Sequence, residues 1–240
     1  MRLAVLADIH GNLEALEAAL IAADRQRIDR VVCLGDVVGY GADPVGCVYR
    51  LQEVDALSIM GNHDQAVLDP TQVRCFNPLA RETLLRTREL MTPEASTYLG
   101  AAAYRRVEHG AVFAHANPIR PEAWDSLLLH DRVTWCMERV DWQVGFYGHT
   151  HHSAIYCQMR SRVVPLTSST VAIGPHKYLI NPGSVGQPRD GDWRAAFAVW
   201  DVDRRFVELH RVEYAVAKAQ EKIRQASWPP YLADRLAQGE

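Results

Sequence analysis

The chain has 240 residues, 48% of them hydrophobic and 23% charged, with a net charge of -3. That composition supports a real core, argues against a disordered chain, and gives no electrostatic reason for a duplex-binding surface, so no stable nucleic-acid binding is expected. The five cysteines (Cys33, Cys47, Cys75, Cys136 and Cys157) are odd in number and lack C-x-x-C spacing, which argues against a disulfide framework and a thiolate zinc site.

The first elements alternate strand and helix. Leu3 to Ala7 is a short apolar run, as expected of a strand buried on both faces. Asp8 and His10 interrupt that run too early for a signal peptide, and no stretch approaches a membrane span. A cytoplasmic protein without membrane contact is expected. After Gly11-Asn12, Leu13, Leu16, Leu20 and Ala23 form one helical stripe. Val31 to Leu34 reads as a second strand, with Cys33 as a small buried hydrophobe. Asp43-Pro44 reads as an N-cap and first-turn proline opening a helix through about Glu53, and Ala56 to Met60 as a third strand. This βαβαβ opening implies a parallel sheet.

The middle reads as helical over Pro78–Leu90 and Pro93–Leu99, the second helix capped by Thr92. Strands Tyr104–Glu108 and Ala111–Ala114 follow, joined by a His109-Gly110 turn, then a helix over His130–Val140 and a strand over Gln143–Tyr147. From Ser153 the pattern is largely β: Ala154–Met159, Val163–Leu166, Lys177–Ile180, Ala195–Asp201 and Phe206–Val212, before a helix over Ala215–Gln225. The expected organisation is one domain over residues 1–240, with the tail from Ser227 irregular and peripheral.

Polar residues follow the strands in a telling series. Asp8-Ile9-His10, Gly35-Asp36, Gly61-Asn62-His63-Asp64, His115 and Gly148-His149-Thr150-His151 supply carboxylates, an amide oxygen and imidazoles just past strand ends. In open α/β sheets, ligand sites form there. In extended backbone residues i and i+2 point the same way, so Asp8 and His10 can both reach one ion, and His149 and His151 repeat that geometry. Asp36 has two oxygens and can bridge two cations. Mixed N/O ligation suits manganese, iron, zinc or nickel, and excludes an all-oxygen calcium site. The fragments Val37 to Gly41 and Asn181 to Arg189 read as shaped loops. Tyr40 is either a turn residue or part of a substrate mouth, and Arg189 either a phosphate contact or a solvated side chain.

Together these motifs resemble the signature of the calcineurin-like metallophosphoesterase superfamily over Asp8 to His151. Asn181 to Arg189 is similar to a late loop of its small bacterial and archaeal phosphodiesterase branch. The resemblance implies an α/β fold, a four-layer αββα sandwich of two mixed β-sheets flanked by helices. It implies two divalent or trivalent transition-metal ions, manganese foremost, with Asp8, His10 and His151 on one, Asn62, His115 and His149 on the other, and Asp36 between them. It further implies a hydrolase cleaving phosphoesters by in-line attack of a metal-bridging hydroxide. His63 is expected as proton donor or stabiliser, with Asp64 orienting it, and Asn12 as a hydrogen-bond donor to the phosphate. One departure is Ala116, where the family often has glycine after the lone histidine. A phosphodiesterase acting on a small-molecule or nucleotide ester is the leading expectation. A phosphomonoesterase (protein or nucleotide phosphatase) and a non-catalytic scaffold on the same fold are the alternatives. A homodimer is a further expectation drawn from relatives.

Overall fold

The computed structural model describes all 240 residues. The expected opening is present: β1 (Arg2–Leu6), α1 (Leu13–Arg25), β2 (Arg30–Cys33), α2 (Pro44–Glu53) and β3 (Leu57–Ser58), with β1, β2 and β3 parallel neighbours. Three helices follow, α3 (Asn62–Leu68), α4 (Pro78–Leu90) and α5 (Pro93–Gly100). Then come β4 (Arg105–Glu108), β5 (Ala111–Ala114), α6 (His130–Glu138), β6 (Val144–Phe146), β7 (Ala154–Met159), β8 (Arg162–Leu166), β9 (Thr170–Ala172), β10 (Lys177–Asn181), β11 (Ala195–Asp201) and β12 (Phe206–Val212). The chain ends in α7 (Val216–Gln225) and α8 (Pro230–Asp234).

The strands form two mixed six-stranded sheets, ordered β3-β2-β1-β11-β12-β9 and β4-β5-β6-β10-β7-β8. Strand periodicity explains how they pack, because alternate residues face opposite sides. In β1, Leu3 and Val5 enter the layer between the sheets, where they meet Phe113, Phe146, Ile180 and Trp200. Ala4 and Leu6 face the opposite way, onto Leu16, Ala19 and Val48 of α1 and α2. A third cluster seats Val133, Cys136 and Met137 of α6 against Tyr147 and Leu179 on the second sheet. Helices on both outer sides of two packed sheets make the four-layer α/β sandwich that the motifs imply.

Four local expectations need correction. Only Leu57–Ser58 forms the ladder of β3; beyond it Ile59 N–H still donates to Cys33 O (2.8 Å) and Met60 N–H to Ala103 O (3.0 Å), an isolated bridge in place of a longer strand. Asn62 does not end a strand; it opens α3, whose polar start hid the helix from hydrophobic periodicity. Asp43 makes no cap to α2, because its carboxylate lies 2.7 Å from Lys222 Nζ instead. The tail is not peripheral. Trp228, Leu232, Ala233 and Leu236 are buried in the cluster under α1 and α7, where each large side chain contributes roughly 1.5–3 kcal/mol of burial. No helix is long and apolar enough to cross a membrane.

Candidate metal centre

The carboxyl ends of β1, β2 and β3 in one sheet and of β5 and β6 in the other deliver their polar residues to one place. Donor atoms of Asp8, His10 and His151 lie within 4.8 Å of one another, as do those of Asp36, His115 and His149, and those of His10, Asp36 and His63. Asn62 joins the second group, its Oδ1 3.0 Å from His115 Nε2 and 3.0 Å from His149 Nδ1. All seven expected ligands therefore converge.

Extended geometry is not what brings them there. Asp8, His10, Asp36, His149 and His151 all have left-handed backbones, with φ between 50° and 66°, and Tyr40 joins them at 57°. Non-glycine residues rarely adopt that region, although Asp and His tolerate it better than most. Each costs on the order of 1 kcal/mol, and such strain clusters where function requires a fixed geometry. The reversal also sends His149 and His151 to different groups, where an extended i, i+2 pair would have kept them together. Ala116 needs no glycine, since it is not a positive-φ residue.

The imidazole tautomers are set by their outer contacts. His10, His115 and His151 direct Nδ1 to the main-chain oxygens of Val38 (3.1 Å), Leu34 (2.9 Å) and Gln187 (2.6 Å). A carbonyl only accepts, so Nδ1 carries the proton and Nε2 turns a lone pair inward. His10 Nε2 and His151 Nε2 then stand 3.1 Å apart. Two facing lone pairs, like His115 Nε2 against Asn62 Oδ1, repel one another unless a cation or proton offsets them. The buried donor set thus fits transition-metal ions with mixed N/O ligation.

Titration follows the same logic. Burial drives His63 down to about 4 and His149 to about 3, and lowers His10 and His151 too. Burial opposes charge on His115 as well, but the Asp36 carboxylate outweighs it and lifts the ring to about 9. Asp36 is pushed up by burial yet held well below the usual range by His115, His63 and His10. Burial takes Asp8 up to about 7.

Two expected roles change. The Asp64 carboxylate makes no hydrogen bond to the His63 ring. Its Oδ1 accepts from Val37 N (2.9 Å) and Val38 N (3.1 Å), and its Oδ2 from Gly61 N (3.2 Å), so it clamps the loops after β2 and β3 together. His63 Nδ1 is buried without a hydrogen-bond partner, and the ring packs edgewise on Phe76 and His10. Asn12 is likewise committed to the fold. Its Oδ1 caps α1 through Ala15 N (3.1 Å), and its Nδ2 donates to Gly186 O (2.9 Å) and Tyr214 Oη (3.3 Å), leaving no free donor for a phosphate.

Tyr40 packs 4.8 Å from the His10 ring and 4.7 Å from His63, and Arg189 lies over Tyr40 with Cζ 5.8 Å from its centroid. Both therefore border the cluster. The Asn181 to Arg189 loop builds the site's floor. Val185 N and Gly186 N donate to Ala7 O (2.9 Å) and Asp8 O (3.0 Å), and Ser184 Oγ donates to Asp8 O (2.7 Å). A Cβ at Gly186 would lie 1.7 Å from Ile9 O, so only glycine permits this approach. Asn181 Nδ2 holds the His149–His151 turn through Gly148 O and Thr150 Oγ1, at 3.0 and 2.9 Å. Sequence reasoning missed Asn181, Ser184 and Trp124. Trp124 stands edge-on to His115 at 5.8 Å and donates Nε1–H to Gln65 Oε1. The Asn-Pro-Gly-Ser string was the available signal for the first two; Trp124 had none.

Two packed mixed sheets with an Asp/His/Asn cluster at their strand ends define the phosphoesterase class of α/β sandwich. The chain matches the calcineurin-like phosphoesterase superfamily domain over residues 1–205 and belongs to that superfamily, a family of metal-dependent hydrolases of phosphoesters. It is 36% identical over 241 residues to an uncharacterised protein of Methanocaldococcus jannaschii, covering 99% of this chain and 98% of the relative. The fold is similar to the crystal structure of a metallophosphoesterase from Sphaerobacter thermophilus, with TM-score 0.88, 34% identity, and coverage of 100% of this chain and 99% of that one. It is also similar in fold to a hypothetical protein from Pyrococcus horikoshii, with TM-score 0.83, 21% identity, and coverage of 100% and 98%.

Proposed function

We propose that the chain is a dinuclear metal-dependent phosphoesterase, and within that class a phosphodiesterase. The observation that carries the dinuclear reading is the convergence of bare imidazole nitrogens on two adjacent points that share Asp36. Asp8, His10 and His151 would hold one ion, Asn62, His115 and His149 the other, and Asp36 both. Manganese heads the candidates, with iron, zinc and nickel behind it. Bound there, the pair would supply Lewis acidity and a water of lowered pKa.

The remaining chemistry belongs to the side chains. Burial opposes a charge on His63 and lowers it to about 4, so near pH 7 the neutral ring would stabilise the leaving oxygen by a hydrogen bond; proton donation would require the negative charge of the bound ester to raise it. Asp64 would act by keeping His63 and Asp36 in place. Tyr40 and Arg189 would border the bound ester at the rim, beyond the bond that is cleaved. The diester preference rests on the likeness of the Asn181–Arg189 loop to the phosphodiesterase branch. The proposed setting is the cytoplasm, with a nucleotide or other small phosphoester as substrate.

The deciding experiment strips the protein of metal, restores it with manganese, and compares a generic aryl phosphodiester with the matching monoester, using Asp36→Asn as control. Faster turnover of the diester, abolished by Asp36→Asn with the fold intact, is expected. Preference for the monoester would make the protein a phosphatase. No turnover of either, despite two bound ions, would favour a scaffold.

A further inference from the structure

The carboxyl-terminal segment reaches the rim of the centre, where the proposed function gives it no part. Leu232 and Leu236 line a narrow cavity together with His10 and Tyr40. Gly191 N donates to Gly239 O (3.0 Å), which staples the end of the chain to the loop that carries Arg189. Arg235, in the turn after α8, is thereby held beside that loop. Two guanidinium groups thus come to the same side of the centre from distant parts of the sequence.

Neither has a side-chain carboxylate within the 4.0 Å that defines an ion pair, although carboxylates are close at hand in the sequence. Each of those is taken by another arginine: Asp190 by Arg211, Asp192 by Arg194 at 2.7 Å, and Asp234 by Arg224 at 3.1 Å. Arg189 spends Nη2 on Gln187 Oε1 (2.8 Å), and its Nε is buried without any partner. Arg235 donates Nε–H to Glu240 O (2.5 Å) and stacks over Tyr231 at 5.2 Å. Burial and then the charge of Arg189 both oppose the charge on Arg235. Glu240 O is an oxygen of the last residue and its charge supports Arg235, so Arg235 keeps its Nη groups for a ligand while Arg189 has no carboxylate partner at all. Like charges gathered at a site mouth raise the local concentration of anions.

We infer that Arg189 and Arg235 together form a subsite for a second phosphoryl group, so that the substrates are phosphoesters carrying a further phosphate beside the scissile one. Guanidinium forks suit this task because they meet phosphate oxygens with two parallel hydrogen bonds. The inference rests on the phosphoesterase reading and narrows its substrate class. It also gives the buried tail a purpose, since Leu232 and Leu236 anchor the turn that presents Arg235.

The test uses the protein restored with manganese and two matched probes. One is the p-nitrophenyl ester of thymidylate; the other is the same ester with an added phosphate on the sugar hydroxyl. The wild type is expected to favour the second by about tenfold in kcat/KM, as a charge-assisted contact would give. Arg235→Gln should bring that ratio close to one, and Arg235→Lys should keep part of it. Each ratio is internal to one variant, so lost active protein cancels. An unchanged ratio in Arg235→Gln, or no preference in the wild type, overturns the subsite.

Binding supplies an arm independent of turnover. Calorimetry should find thymidine bisphosphate about tenfold tighter than thymidine monophosphate in the wild type, and nearly equal in Arg235→Gln. That pattern without hydrolysis of either ester supports the subsite and refutes the hydrolase. Equal affinities in the wild type overturn the subsite even if both esters are hydrolysed.

Discussion

Replacing Asp64 with asparagine distinguishes a clamp from a partner of His63. The carboxylate is 1% exposed and accepts three main-chain N–H groups, from Val37, Val38 and Gly61. An asparagine can keep its oxygen toward Val37 and Val38, but its NH2 then opposes Gly61 N–H. One buried donor left unpaired costs about 1–3 kcal/mol. The two surviving bonds lose their charge assistance, for about 1 kcal/mol more, while removing a buried charge next to Asp36 offsets part of this. The net loss is about 2–4 kcal/mol, or roughly 4–16 °C in Tm for a chain of this size. Scanning calorimetry at equal manganese should detect it, and the pH–rate profile should hold its shape as activity falls. A Tm within about 2 °C of wild type, together with a displaced pH–rate profile, would refute the clamp and restore Asp64 as the support of His63.

Other perturbations follow from the same contacts. Glu14 lies 3.1 Å from Lys218 and 2.7 Å from Lys222 with its side chain 6% exposed; burial pushes its carboxyl up, but these lysines hold it below the ordinary value. A depressed carboxyl stabilises above its unfolded pKa of about 4.3 and loses that contribution as pH falls through its folded pKa. Glu14→Gln should therefore lower Tm near neutrality, with the gap to wild type closing below about pH 4; a gap constant with pH would contradict the pairing. Leu232 is fully buried, and Leu232→Ala should cost about 2–5 kcal/mol in denaturant unfolding, whereas a loosely docked tail would register almost nothing. Chelation should lower Tm by roughly 5–10 °C and manganese should restore it, since a ligand at a hundred times its Kd adds about 2.7 kcal/mol. Insensitivity of Tm to chelator and manganese alike would count against a resident metal pair.

Periodicity and motif order made the layers and the convergence of the centre legible. The run Leu3 to Ala7 is apolar on both faces, and in the fold it lies between helices and a second sheet. The series from Asp8 to His151 falls past strand ends, where side chains from separate strands meet. Chain order carries that information because the strands of each parallel stretch end on one edge. Roles inside the cluster were less legible. Asn12 and Asp64 are chemically able to serve substrate or catalysis, yet both spend their hydrogen bonds on the backbone of neighbouring loops.

The sequence by itself determined which groups are available and which elements carry them, because burial pattern and strand-end chemistry are local properties. Only the tertiary structure decided where each side chain points. Left-handed turns at Asp8, His10, Asp36, His149 and His151 set those directions, and they part His149 from His151, which extended backbone would have kept together. The docked tail and the Gly191–Gly239 staple bring Arg235 to the rim from the far end of the chain. Such contacts depend on loop closure and on close approach of distant backbones, as at Gly186 beneath Ile9, and no local pattern of residues encodes them.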